Sequence, residues 1–393
     1  MTARHNYDVV IVGAGIAGTG LAYFLARRGL GRVLVVEGEK HAAYHASGRS
    51  ASTLVELDGN PTVQHLKALG GAFLRNPPAG FSTHRIVNPI GALMLFREPG
   101  WEGIKSLAPV FEQSGVRVCV LDRAEACRRL GGAGGSSGVL CEQSFDGAAF
   151  LPEDGVIDVH ELLSSYMRHA REAGVTFAFE TRVEGVLNQA GSSRGLHLCG
   201  GDGRSFEVGA GLVVNAAGAW AGRLASMAGA GEVLMQPLRR SLVMLPTPPS
   251  LPPAGLAAWP LVWSDPHGIY FRPESGGLLF CPMDEEPMDP CDAGPDETAI
   301  LEGLERLRAL APALVPSRLG RRWGGLRTFA PDRVPVVGED PEREGFFWLA
   351  GQGGSGIETS PVLGRVAADL IETGTSEAFD IGLLAPGRFA PTA

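Results

Sequence analysis

Three glycines at GxGxxG spacing, Gly13, Gly15 and Gly18, follow the β-branched run at 9–12 and open a helical pattern over 16–28. That spacing builds an anion site. Gly13 permits a tight strand-to-helix turn, Gly15 lets the backbone approach a pyrophosphate, and Gly18 lets the helix pack close to the strand. The first N–H groups of the helix, at Ile16 and Ala17, and its positive dipole end attract phosphate. A second apolar run at 33–36 ends in Glu37, an acid roughly twenty residues beyond the last glycine, where it accepts hydrogen bonds from ribose hydroxyls and disfavours a phosphorylated ribose. The residues at 351–356, GQGGSG, form a second glycine cluster between an apolar run at 346–350 and a helical pattern at 360–372. It reads either as a second ligand contact or as a plain connecting turn.

These residues need a scaffold. With 393 residues, 45% hydrophobic and 20% charged, the chain has the composition of an ordinary globular protein and the length of two connected domains. A net charge of -9 repels a polyphosphate, which argues against a nucleic-acid partner. No stretch approaches the roughly 20 apolar residues of a membrane span. The opening MTARHNYDVV lacks the pattern of a signal peptide, so cytoplasmic residence is expected. Six cysteines without CxxC or Cys/His spacing point to reduced structural thiols, with no metal site and no disulfide framework.

Along the chain, 42–52 reads as loop leading into a helix, 62–75 as a helix stopped by the prolines of NPPAG, and 86–96 as strand. The segment 131–138, GGAGGSSG, reads as a surface loop. Asp158 is placed to cap a helix running to about Glu172 and ended by Gly174, with strands at 175–179, 182–188 and 212–214 beyond it. Short apolar runs broken by prolines over 233–285 suggest an antiparallel sheet, 286–296 a loop, and 297–310 an amphipathic helix. Strand, glycine turn and helix recur at both ends. The expected fold is therefore α/β with an α+β substrate part: a Rossmann-like nucleotide-binding domain (1–85, 150–222 and 323–393) carrying an inserted antiparallel-sheet substrate domain (86–149 and 223–322).

The opening fingerprint with Glu37, SGRS at 47–50, the ED-G-x-I-D pattern at 153–158, VVNAAGAW at 213–220, GGLR at 324–327 and GQGGSGI at 351–357 occur in one order. Nearly end to end, the chain resembles the D-amino acid oxidase-like FAD enzymes, which include glycine oxidase, monomeric sarcosine oxidase and D-amino acid dehydrogenases. The segments YHASGRSA, NPPAGF, QPLRRS and GFFWLAGQGGSGI bring it nearest to the D-arginine dehydrogenase branch. The resemblance implies non-covalent FAD, and a long flavin cofactor suits two glycine-rich contacts. It places Ser47, Gly48, Arg49, Ser50, Ala51 and Ser52 along the pyrophosphate and the approach to the isoalloxazine. Val183 would hold the adenine end, Ala217, Gly218 and Trp220 the nucleotide region, and Gly353, Gly354, Ser355, Gly356 and Ile357 the flavin's pyrimidine edge. Arg327 would pair bidentately with a substrate carboxylate, Arg240 would be a second cation, Arg239 would face solvent, and the Tyr270 hydroxyl would reach the same carboxylate.

The implied reaction oxidises the amine of a small amino acid (a D-amino acid, glycine or an N-alkyl amino acid). Hydride passes to the flavin, the imine hydrolyses to a 2-oxo acid, and the electrons go on to oxygen or to a quinone or other carrier. Oxidation of a 2-hydroxy acid, or service as the flavin-binding subunit of a heteromeric amine dehydrogenase, are the alternatives. His45 and His267 read as structural, with proton acceptance as the other reading, and His45 also matches the anchoring histidine of covalent relatives. Several positions depart from the D-arginine branch: its side-chain-recognising acid falls on Ala92, a histidine on Thr53 and a lid tyrosine on Asp58. Trp263 and Leu261 add apolar bulk. D-Arginine is thus not the expected preferred substrate, unless Asp58 or Glu56 folds inward. Glu358, beside the second glycine turn, is read as disfavouring reaction with oxygen.

Overall fold

In the computed structural model, which describes residues 5–130, 138–189, 191–231, 233–248 and 253–389, the apolar runs lie side by side as a parallel sheet. His5–Val12 sits between Val33–Val36 and Ser205–Asn215, Thr176–Ala178 extends one side and Phe346–Ala350 the other. Successive residues on these strands are apolar because both faces are covered. Ile11, Val35 and Phe347 pack with Leu21, Leu25 and Val366 of the helices Ile16–Arg28 and Gly356–Thr373. Val10, Leu34 and Trp348 pack on the other face with Leu196 and Leu198 of a β-hairpin and Leu224 of the helix Ala221–Ala228. The glycine turns that end His5–Val12 and Phe346–Ala350 therefore emerge at the same edge of the sheet.

The helices obey local rules. Asn60 caps Pro61–Arg75 through Oδ1, which accepts the N–H of Thr62 at 3.0 Å, and Pro61 holds the first position. Asp158 caps Val159–Glu172 by accepting the Glu161 N–H at 2.8 Å, as expected from its place in the sequence.

The second sheet runs Glu286–Pro287, Gln236–Leu245, Gly277–Cys281, Ile269–Glu274, Leu261–Ser264, Ala92–Phe96, Gly147–Leu151 and Cys119–Asp122. It is antiparallel except where Leu261–Ser264 meets Ala92–Phe96. Some expectations are corrected here. Residues 86–96 form two strands, Val87–Asn88 and Ala92–Phe96, because Pro89 has no N–H to continue a ladder. Loop 42–52 leads into the short strand Thr53–Leu54 and not into a helix. The strand Arg322–Phe329, expected with the nucleotide-binding part, pairs along its whole length with Gln236–Leu245, so this second sheet carries Arg327. Gly147–Leu151 also lies wholly in this sheet, across the expected boundary at 149/150. Of the glycine-rich stretch 131–138, all but Gly138 lies outside the described residues.

Directly before the strand Gly155–Ile157 lies one member of a buried acid pair, Asp154, with Glu56 as the other. Asp154 is fully buried, its Oδ2 accepts the Glu56 N–H at 2.9 Å, and Glu56 Oε1 accepts from Arg75 Nη2 at 2.9 Å. Burial, and then the charge of Glu56, hold the Asp154 carboxyl well above its usual range. A carboxyl with a raised folded-state value stabilises the fold below its ordinary value, about 4, and loses that contribution as pH rises through the raised one. Asp154→Asn keeps an acceptor for Glu56 and removes the titration. Melting temperature measured from pH 4 to 8 should fall less steeply in this variant than in the parent, and parallel curves would refute the assignment.

Candidate active site

The nucleotide end is built from compressed backbone. Gly13 has φ +108°, and a Cβ there would lie 2.4 Å from the Ala216 carbonyl oxygen, while one on Gly18 would lie 2.0 Å from the Gly13 carbonyl oxygen. The helix Ile16–Arg28 has Gly15 at its N-cap and no side-chain cap, which leaves N–H groups at its start for an anion. Ser47 Oγ accepts the Ile16 N–H at 3.0 Å. Glu37 is locked in place, with Oε2 accepting the Ala14 N–H at 2.8 Å and Oε1 the Glu39 N–H at 3.0 Å. A cavity of about 550 Å³ here is lined by Gly13, Gly15, Glu37, Val183, Ala217 and Trp220.

A second cavity, of about 560 Å³, is lined by Ile16, Ala17, Ser50, Ala51, Ser52, the turn 353–357, Arg240, Tyr270 and Arg327. The two share Gly15, Ser47, Arg49, Ala216 and Gly218, so they form one bent groove from Glu37 to the arginines. Gly18 and Gly48 line neither chamber. Gly48 instead borders a depression with Asp292 and Trp323.

At the far end the helix Gly356–Thr373 also starts without a side-chain cap. Gly353 has φ +56° and packs on Phe329, 2.2 Å from where a Cβ would sit. The Arg327 guanidinium rests against the turn, its Nη1 2.8 Å from where a Gly354 Cβ would sit. Two helix N-termini without side-chain caps of their own, one at the bend where the chambers meet and one at the arginine end, with the fixed Glu37 carboxylate at the opposite end, suit FAD. The main-chain N–H groups of Gly15 and Ala17, with the Ser47 hydroxyl held by the Ile16 N–H, would hold its diphosphate, Glu37 its ribose, and the 353–357 turn the edge of its ring.

Arg327 and Arg240 stand on neighbouring strands, Arg240 opposite Gly325 and Arg327 opposite Leu238, and both line the ring-end cavity. Tyr270 is buried and stacked on its cross-strand partner Trp263, with ring centroids 5.0 Å apart and planes 7° apart. Burial first, and the neighbouring Cys281 thiol second, push the Tyr270 hydroxyl well above its ordinary value. It is therefore a hydrogen-bond donor and not a base. Burial likewise keeps Cys281 a thiol.

Other residues here escaped the sequence reading. Glu285 Oε1 takes hydrogen bonds from Arg327, Arg333 and Arg240 together. Nothing in the acidic run at 284–286 distinguishes the one carboxylate that reaches these three arginines. Arg239 does not face open solvent but pairs with Glu286 and Asp296.

A buried ion network closes the side of the cavity. Lys67 Nζ reaches Asp58 Oδ2 at 2.9 Å, Glu358 Oε1 at 3.0 Å and the Val55 carbonyl at 3.1 Å. Asp58 does fold inward, yet Lys67 engages it. Glu56 turns away to Arg75. Ala92 and Leu261 are fully buried and do not line the cavity, so neither shapes the side-chain end directly, whereas Thr53 and Trp263 do. Neither histidine reaches the arginines. His45 packs on Trp220 with Nε2 2.9 Å from Glu39 Oε1, and lines the nucleotide end. His267 Nδ1 lies 2.7 Å from Ser264 Oγ, and burial lowers its pKa.

Residues 8–370 match the DAO family of FAD dependent oxidoreductases. The chain belongs to this family. FAD is thus its cofactor and oxidation–reduction its chemistry. It is 27% identical over 425 residues to FAD-dependent oxidoreductase domain-containing protein 1 of Bos taurus, covering 97% of this chain and 84% of that protein. To glycine oxidase of Geobacillus kaustophilus it is 26% identical over 394 residues, covering 96% of each. The crystal structure of L-proline dehydrogenase from P. horikoshii superposes with a TM-score of 0.84 at 22% identity over 98% of both chains, a likeness of fold. Among the described residues of this DAO-family chain no helix is long and apolar enough to cross a membrane.

Proposed function

We propose that the protein oxidises the amine of a small α-amino acid, D-configured, achiral or N-alkylated, to an imine that hydrolyses to the 2-oxo acid. The observation that carries this reading is the Arg327 guanidinium lying against the 353–357 turn with Arg240 beside it. A substrate carboxylate held there puts its α-carbon at the ring end of the groove. FAD, when bound, supplies the hydride acceptor. The protein's part is positional: a guanidinium fork fixes the carboxylate in one orientation, Tyr270 donates a further hydrogen bond, and Trp263, Leu242 and Met283 line the space beside them with apolar surface. Orientation of this kind supplies much of the acceleration without a dedicated acid–base pair. D-Arginine remains a poor fit, because Asp58 is already committed to Lys67. His45, paired with Glu39 at the nucleotide end, supports non-covalent FAD, and six free cysteines support the cytoplasm.

Anaerobic mixing of the yellow holoenzyme with D-, L- and N-methyl amino acids and with 2-hydroxy acids tests the reading. Small or apolar D-amino acids, glycine or N-methyl amino acids should bleach the flavin and release 2-oxo acid, faster than D-arginine does. Bleaching by 2-hydroxy acids alone would overturn the proposal. Tyr270→Phe removes one hydrogen bond of about 0.5–1.5 kcal/mol and should raise KM by up to about tenfold, measured in the same assay with a dye acceptor.

A further inference from the structure

Glu285 occupies the place where a substrate carboxylate is expected. Its Oε1 accepts from Arg327 Nη2 at 2.7 Å, Arg333 Nη2 at 2.8 Å and Arg240 Nη2 at 3.1 Å. The chain is shaped to deliver it. Met283 takes a left-handed φ of +55°, which non-glycine residues seldom adopt, and its N–H meets Cys281 Sγ at 3.4 Å. Asp284 is tied to the Ser241 N–H and hydroxyl at 2.7 and 2.8 Å. The next side chain then points at the arginines. A carboxylate binds an arginine side-on through Nε and Nη2. On Arg327, Glu285 takes Nη2, while the buried Nε has no partner among the described residues, and the same holds for Arg240. Half of each fork is filled from within.

We infer that Glu285 is a specificity-determining residue: an internal carboxylate that competes with the incoming one for Arg327 and Arg240 and trims the charge of the cluster from +3 to +2. This rests on reading Arg327 as the carboxylate clamp. The arginines do not need Glu285 to stay in place. Arg333 lies over the Phe329 ring at 3.9 Å, Arg327 over the same ring at 5.4 Å, and Arg240 Nη1 reaches Cys281 Sγ at 3.7 Å. Removing the competitor should thus leave the cluster standing, more open and more positive.

Calorimetric titration of the holoenzyme with acetate and with malonate tests this. Glu285→Gln should bind acetate roughly tenfold more tightly, the scale of one charge-assisted hydrogen bond regained, and malonate should gain more than acetate because the dianion feels the restored charge twice. Glu285→Asp, too short to reach all three arginines, should tighten acetate by a smaller factor, and KM for the amino-acid substrate should fall in both variants. Unchanged or weaker acetate binding in both would overturn the inference and make Glu285 an organiser of the arginines. Arg327→Ala decides the underlying reading separately: if it leaves acetate affinity intact, the clamp itself is misassigned, whatever Glu285 does.

Discussion

Replacing Arg327 by alanine should lower kcat/KM for the best amino-acid substrate by about 30- to 5000-fold. The estimate follows from truncating one partner of a desolvated, hydrogen-bonded charge pair, which costs about 2–5 kcal/mol. Arg327 stands on a strand of the second sheet while its guanidinium lies against the glycine turn that follows Phe346–Ala350 of the parallel sheet. In the proposed function it would fix substrate relative to cofactor, so its loss should be felt in kcat as well as KM. Arg327→Lys keeps a cation but not the planar fork, and should fall between parent and alanine variant. Both should purify yellow with the parent's flavin content, because Arg327 does not line the nucleotide chamber formed by Glu37, Val183 and Trp220. Steady-state kinetics with an artificial electron acceptor is the check, and a loss below threefold in the alanine variant would remove the arginine from the site.

Where the chain's chemistry is local, the sequence reveals it. The bounds of Ile16–Arg28, Glu297–Leu310 and Phe346–Ala350 follow from capping residues and continuous apolar runs, and the two glycine turns are legible because backbone oxygens crowd 13 and 18 and the Phe329 ring, with a positive φ, crowds 353. Sheet membership of Arg322–Phe329 was not legible, since WGGLR gives no alternation to say which partner its edges seek. Convergence was the other hidden feature. Glu285, Arg240 and Arg333 come from three segments, and Lys67 meets Glu358 from the opposite end of the chain. A turn with one residue in a left-handed conformation aims Glu285, and a helix–helix contact joins Lys67 to Glu358. Both depend on packing between distant segments, which composition and spacing do not encode.

The Lys67 network carries the largest expected effect on stability. The helices Pro61–Arg75 and Gly356–Thr373 press together so closely that a Cβ on Gly70 would lie 1.9 Å from the Glu358 carbonyl oxygen. Lys67 crosses that contact with its three donors on Asp58, Glu358 and the Val55 carbonyl, and Glu358 Oε2 accepts the Val55 N–H at 3.0 Å. Lys67→Met leaves two carboxylates with no cation between them, one of them fully buried. Breaking a buried pair in this way costs about 3–5 kcal/mol. Burial already raises the Glu358 carboxyl, and Lys67 opposes that rise. Without Lys67 the folded-state value climbs further above the unfolded one, so the group's stabilising contribution is complete in acid and is lost as pH rises through the raised value. The deficit of Lys67→Met, measured by urea unfolding, should therefore be smallest near pH 4 and grow toward pH 8. Adding Glu358→Gln should recover a large part of it at neutral pH, since an amide needs no counter-charge. A deficit that is flat with pH, or a double variant no more stable than the single one, would show that packing of the lysine stem and not its charge joins the two helices. Because Glu358 follows directly on the 353–357 turn, the single variant should also release its flavin at lower urea than the parent does.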